Sequence, residues 1–367
     1  MRTLESWTPR RGLSVPAVTA LDAGGELLEE DQRRLVRYLV QAGRGADIVF
    51  ANGTTGEWAS LRERTRRRLV QVVVEEIKKT NGWLVPAGHS PVEAWVGVTA
   101  PTAQATLEML DFALGLEADA AVLAPLAIQD VLDPVRFVQR DVADLLDGRE
   151  TRIPLFLYDN ADIATGRARV LRTRWVKRLS RLDFVRGIKV SASPRRLGHY
   201  AKAARQFRDL GPFAIYVGNA PYILEMMRPR EGFIGTLIEH WYRFRLRDLL
   251  PAGVVAGPAN LLPREWQRAW QVSCAGDLER MEEMKRVFAR AREIRTFPGG
   301  RRTIAALKRG LQQLGVFQSD AVAPGTATLS AEERAHFDRG WEELRREIDD
   351  TLPSRWCSDA RAAAATS

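Results

Sequence analysis

Short apolar runs alternate along this chain with longer segments of helical periodicity. The alternation predicts repeated strand–helix units around a parallel sheet. Eight runs read as strands: Leu13–Thr19, Asp47–Ala51, Trp95–Thr99, Ala120–Ala124, Leu155–Tyr158, Gly187–Val190, Ala214–Val217 and Gly253–Gly257. The third has a competitor in Trp83–Ala87, and whichever segment is not the strand becomes an inserted loop. Behind the second strand, Ser60-Leu61-Arg62-Glu63 has the form of a capping box, and Leu69, Val72, Val73 and Ile77 follow at helical spacing. Eight such units favour a closed (β/α)8 TIM barrel over residues 13–265, with an N-terminal arm at 1–12, a C-terminal helical region at 266–350 and a flexible tail at 351–367. No Gly-x-Gly-x-x-Gly follows the first strand, which argues against an open dinucleotide-binding sheet.

A barrel of this kind carries its chemistry at the carboxyl ends of its strands, so the polar residues found there are the candidates. Lys189 closes the apolar run Val185–Val190, where burial disfavours the charged ammonium and leaves an amine able to attack a carbonyl. Most strand-end lysines simply reach out to water, so this residue gains weight only in company. Tyr158 ends the fifth strand, and Gly53-Thr54-Thr55-Gly56-Glu57 follows the second. That turn offers successive N–H groups and two hydroxyls, a cradle for a carboxylate, although taken alone it is an ordinary glycine-rich connection. Gly218-Asn219 after the seventh strand and Gly257 to Asn260 after the eighth add small residues that let backbone approach a ligand.

These residues resemble the dihydrodipicolinate synthase and N-acetylneuraminate lyase superfamily, the class I aldolases that form a Schiff base with pyruvate. The resemblance is carried by Gly53-Thr54-Thr55-Gly56-Glu57, Tyr158 in a Tyr-x-Asn context, Gly187-Ile188-Lys189, Gly218-Asn219, and Gly253-Val254-Val255 leading to Asn260 and Pro263. It runs from about Leu13 to about Leu344, and Lys308 and Gly315 resemble the family's C-terminal helical segment. The resemblance implies that Lys189 forms an imine with the ketone of a 2-oxo acid. Thr54 and Thr55 with Gly53 would hold the carboxylate, Tyr158 and Thr55 would serve catalysis, and Gly218, Asn219, Gly257 and Asn260 would line the pocket. It implies no cofactor beyond the covalent lysine imine, a 2-oxo acid and an aldehyde as small-molecule partners, and a homo-oligomer, dimer or tetramer.

Two departures concern the substrate. The synthase branch has a second tyrosine after strand four, where this chain reads Ala124-Pro125-Leu126-Ala127-Ile128. It also has an arginine five residues beyond the catalytic tyrosine, where this chain has Ile163, with Arg167 and Arg169 as the nearby substitutes. Tyr158-Asp159-Asn160-Ala161-Asp162 departs from the Tyr-Asn-x-Pro of the lyase branch as well. Between Gly218 and Gly253 the chain is longer than the family's usual step, with Arg228–Gly232 and the aromatic run His240–Phe244 reading as an added surface helix or a lid.

Composition adds limits. A chain of 367 residues with 45% hydrophobic content can bury a full-sized core. Fifty-five basic and 46 acidic residues leave a charge of +9, but the arginines are scattered over helical segments such as Arg62 to Arg68 and Arg172 to Arg178 and read as solvated faces. Cys274 and Cys357 lie far apart and indicate no disulfide framework, and His89, His199, His240 and His336 show no metal-ligand spacing. Met1 to Arg11 has no apolar leader core and no long apolar span occurs, so a cytoplasmic protein without membrane or metal is expected. Three readings follow. A lyase or aldolase acting on pyruvate or a related 2-oxo acid comes first. A keto-deoxy sugar acid dehydratase using the same imine, or a true 4-hydroxy-tetrahydrodipicolinate synthase, is the alternative. A non-catalytic polyanion-binding protein ranks last, and no nucleic acid partner is expected.

Overall fold

A computed structural model describes residues 4, 7–203, 207, 212–226, 251–298 and 300–363. Eight parallel strands close in sequence order into a barrel, with helices between them: a (β/α)8 fold with further helices at the C-terminus. The strands are β1 Gly12–Pro16, β2 Ile48–Ala51, β3 Glu93–Gly97, β4 Ala120–Leu123, β5 Leu155–Asn160, β6 Val185–Ser191, β7 Ala214–Val217 and β8 Gly253–Val255. Nearly every strand residue is buried, as expected where helices cover the outer face of a parallel sheet and side chains fill its interior. The third strand contains Trp95, while Trp83 lies in the last turn of the helix Glu63–Leu84. The expected capping box at Ser60 does not form. The turn after β2 runs on through Ser60, whose N–H is bonded to Glu57 O, so the helix starts at Glu63 with Arg62 as an N-cap that makes no side-chain bond. A reciprocal box does form at Ser330 and Glu333, opening the helix Ala331–Thr351.

The chain falls into two compact units. The first holds Met1–Gly12 and Trp95–Val255, and hence β4 to β8 with most of β3. Its interior is aromatic: Trp95 stacks on Phe156 at 4.2 Å between ring centroids, and Tyr216 meets both edge-on at 4.8 and 5.4 Å. Two glycines make room for these rings. A Cβ on Gly187 would lie 2.5 Å from the Phe156 ring, and one on Gly253 would lie 2.7 Å from Tyr216. The N-terminal arm is held against this cluster by Trp7 on Phe156, by Tyr216 donating to Arg10 O, and by Arg186 donating to Leu4 O.

The second unit holds Leu13–Ala94 and Ala256–Ser367. Several of its arginines are spent on carboxylates of neighbouring helices: Arg33 with Glu75, Arg37 with Glu76, Arg68 with Glu29, and Arg309 with Asp338, while Arg37 also pairs with Glu30 of its own helix. Those pairs neutralise part of the basic charge on its helical faces. The residues beyond Thr351, expected to be a flexible tail, are packed as far as Ala363. Ser358 donates from its N–H and its hydroxyl to buried Glu265, Arg264 holds Cys357 O, and Gln41 exchanges two hydrogen bonds with Asp359. Polar side chains facing a main chain did this, a pairing that composition alone does not reveal. The insertion containing Arg228–Gly232 and His240–Phe244 lies outside the described residues.

Candidate active site

In the first unit, the register of β5 and β6 builds the site in layers. Phe156 lies beside Gly187, Tyr158 beside Lys189, and Asn160 beside Ser191. Residues two apart on a strand share a face, so the three pairs stack along one side of the sheet. The lowest is the aromatic floor. Above it the Lys189 amine sits 4.0 Å from the centroid of the Tyr158 ring, with the lysine only 3% exposed. Burial pulls the ammonium of Lys189 below the ordinary lysine range, and the Tyr158 phenol, bonded to it, opposes that pull. An amine so placed is biased toward the neutral, nucleophilic form.

The third layer surrounds the Tyr158 hydroxyl. Asn160 Nδ2 donates to it at 3.0 Å, and Ser191 Oγ lies 3.3 Å away on the other strand. Asp159, the residue between, points to the opposite face, where its carboxylate is buried. It accepts from Leu171 N at 2.7 Å and from Tyr200 Oη at 2.9 Å, tying the segment after β5 and the helix Pro194–Ala203 to the strand that carries Tyr158. Gly218 follows β7 and bonds through its N–H to Val190 O, and Asn219 Nδ2 reaches Ala192 O at 2.8 Å.

In the second unit, the turn after β2 is bounded by two residues in the left-handed region, Asn52 at φ 57° and Glu57 at φ 63°. Gly53 and Gly56 cannot carry a side chain, since a Cβ would come within 2.8 Å of the Phe50 ring and 2.9 Å of Ala17 O. Thr19 Oγ1, in the segment after β1, donates to Gly56 O at 2.7 Å and braces the turn. Among the described residues no acceptor meets the N–H groups of Thr54 and Thr55, so both remain open to an anion. Glu57 is held by Lys308, whose amine lies 2.5 Å from one carboxylate oxygen, and by Ala323 N at 2.7 Å on the other. Lys308 also donates to Ala321 O at 2.8 Å. The C-terminal helix Thr303–Gln313 is thereby tied to the end of the threonine turn.

The structure brings Tyr158 and Lys189 together, and within the second unit it sets Gly257 against Thr55, whose Oγ1 would lie 3.3 Å from a Cβ there. Asn260 takes another place. It is fully buried and commits its amide to Pro16 O and Gly257 O while accepting from Val18 N, so it braces the end of β1 against the turn after β8 instead of offering polar atoms to a ligand. Arg169 folds back on its own loop and donates to Ala161 O and Ala164 O at 2.6 Å. Four contributors were not singled out from the sequence: Ser191, the Asp159–Tyr200 contact, Asn160 as donor to the phenol, and the Glu57–Lys308 pair. Ser191 and Asn160 carried an accessible signal, since the residues two beyond Lys189 and two beyond Tyr158 lie on the same faces of their strands.

Residues 9–95 match the model of the dihydrodipicolinate synthetase family. The 4-hydroxy-tetrahydrodipicolinate synthase of Methylococcus capsulatus is 28% identical over 279 residues, spanning 75% of this chain and 80% of that protein. Among solved structures, dihydrodipicolinate synthase from Bacteroides thetaiotaomicron superposes with a TM-score of 0.72 at 21% identity, covering 91% of this chain and 99% of that one. A catalytic lysine mutant of the Ruminococcus gnavus sialic acid aldolase superposes with a TM-score of 0.73 at 15% identity, covering 96% and 100%. The matched turn agrees with these likenesses: residues 9–95 are similar to the dihydrodipicolinate synthetase family, and the fold is shared with its solved members.

Proposed function

We propose that this protein is a class I lyase or aldolase that forms a Schiff base with pyruvate or a related 2-oxo acid and makes or breaks a carbon–carbon bond. The observation that carries the reading is the buried amine of Lys189, 4.0 Å from the Tyr158 ring, in a layer above an aromatic floor. Attack on a ketone needs the neutral amine, and loss of water from the adduct needs a proton donor beside it; Tyr158 supplies the second. The imine is the electron sink, so the chemistry calls for no metal and no separate cofactor. The open N–H groups of Thr54 and Thr55 support a role for those residues in holding a carboxylate. We further propose a cytoplasmic homo-oligomer with a 2-oxo acid and an aldehyde as its small-molecule partners. No helix of the described residues is long and apolar enough to cross a membrane.

The aldehyde in this reading is not aspartate semialdehyde. A second carboxylate in a water-poor site is costly unless a charged donor meets it. Ile163 cannot do so, and Arg169 is committed to two carbonyls of its own loop. The stretch after β4 is equally apolar, with Ala127 and Ile128 buried. The test supplies pyruvate with neutral hydroxyaldehydes in one arm and with aspartate semialdehyde in the other. Condensation with a hydroxyaldehyde is expected, and a kcat/KM for aspartate semialdehyde at or above about 10⁴ M⁻¹s⁻¹, an ordinary enzyme value, would overturn this assignment.

A further inference from the structure

The Tyr158 hydroxyl stands between two groups of the third layer, and only one of them can pass a proton onward. Asn160 is a donor to the phenol oxygen through its amide, which does not exchange roles on the time scale of turnover. Ser191 is a hydroxyl, donor and acceptor at once, 3.3 Å from the phenol with either atom able to donate. Its side chain is only partly buried, whereas Tyr158 is 6% exposed. The backbone opposite is shaped around it: a Cβ on Gly218 would fall 2.1 Å from Ser191 Oγ, so any larger residue would evict the hydroxyl from its place. Gly218 is itself fixed by its bond to Val190 O, one residue before Ser191.

We infer that Ser191 is the residue through which Tyr158 exchanges its proton with solvent. The inference rests on the Schiff-base reading above. In the step concerned, the C3–H bond of the pyruvate iminium on Lys189 breaks and its electron pair becomes the C2=C3 bond. The C=N π pair returns to nitrogen, giving the enamine. The released proton joins the Tyr158 oxygen while the phenol's own proton crosses to Ser191 Oγ, and the proton carried by Ser191 leaves to water. Each oxygen gains one proton and loses one, so the phenol is reset without a separate base. Ser191 acts through Tyr158 and is a positioning and relay residue, not a group in contact with substrate.

The experiment compares wild type, Ser191→Ala and Ser191→Thr with pyruvate alone. Borohydride trapping at equilibrium reports how much imine forms, and proton NMR in deuterium oxide reports how fast the pyruvate methyl protons exchange. Ser191→Ala is expected to trap as much pyruvate as wild type while exchanging about ten-fold more slowly, a fraction of what a full general acid–base contributes, and Ser191→Thr is expected to restore exchange. Exchange by Ser191→Ala at the wild-type rate would overturn the inference, and so would a parallel fall in trapping and exchange, which marks a structural role. If wild type itself is not trapped, the Schiff-base reading fails and the relay fails with it. Trapping without an effect of Ser191 sinks the relay alone.

Discussion

Each unit of this protein buries a lysine, and the two are opposites in what surrounds them. Lys308 is fully buried with a carboxylate oxygen 2.5 Å away and a main-chain carbonyl at 2.8 Å. Burial lowers its proton affinity, and Glu57 pulls the other way. Lys189 is buried to nearly the same degree, but what opposes its desolvation is the phenol of Tyr158. A carboxylate stabilises a buried ammonium as an ion pair and locks it, whereas a phenol stabilises it weakly and leaves an amine that can lose its proton and react. The same residue type is thus locked in an ion pair in one place and left able to lose its proton in the other. The difference lies in the partner, not in depth.

The largest expected effect separates the two roles directly. Lys189→Ala should lower turnover by at least about three orders of magnitude, as loss of a covalent nucleophile does, with the fold intact by circular dichroism. Lys308→Met should do the reverse. It strands the buried Glu57 carboxylate and is expected to cost about 3–5 kcal/mol in denaturant unfolding, while the double variant Glu57→Gln, Lys308→Met should lose markedly less than the two single changes added together. Equal destabilisation by Lys189→Met would erase the distinction, because removing a lysine that burial penalises should leave the protein at least as stable.

The pH dependence sharpens the same contrast. A lysine whose folded proton affinity is depressed binds fewer protons in the native than in the unfolded state. Its cost to stability is therefore fully present at low pH and is relieved as pH rises from the folded value toward the ordinary lysine value of 10.5. The stability advantage of Lys189→Met over wild type, followed by melting temperature, should shrink over that window. A constant difference would mean that Lys189 titrates normally. The smallest effect is expected at Arg169. Its replacement by alanine removes two contacts within one exposed loop and should change stability by less than about 1 kcal/mol, with no change in KM for a neutral aldehyde. A rise in KM would place the guanidinium on the substrate.

Much of the barrel was legible because parallel strands buried on both faces write themselves as apolar runs: the β7 segment was found to the residue, β4 to within one, and β5 and β6 to within two at their ends. Local competition was harder to read. Ser60 satisfied the capping pattern, yet the turn that begins at Asn52 extends past it, with Glu57 in a left-handed conformation accepting from Ser60 N and its carboxylate paired with Lys308, a residue distant in sequence. Lys189 and Tyr158 were visible as polar residues ending strands. The Ser191 contact was not, because it depends on the register of β5 against β6 and on the missing Cβ of Gly218, and register is set by the closed sheet. Asn260 shows the converse: a residue with the right place in the chain turned out to serve the backbone.

The most direct measurement is covalent. Wild-type protein is incubated with pyruvate, reduced with borohydride, digested and mapped by mass spectrometry. A pyruvate-derived mass on the peptide containing Lys189, with none on the peptide containing Lys308 and none anywhere in Lys189→Ala, is the expected result. An unmodified wild type, or a Lys189→Ala variant labelled to the same extent, would contradict the assignment of Lys189 as the nucleophile.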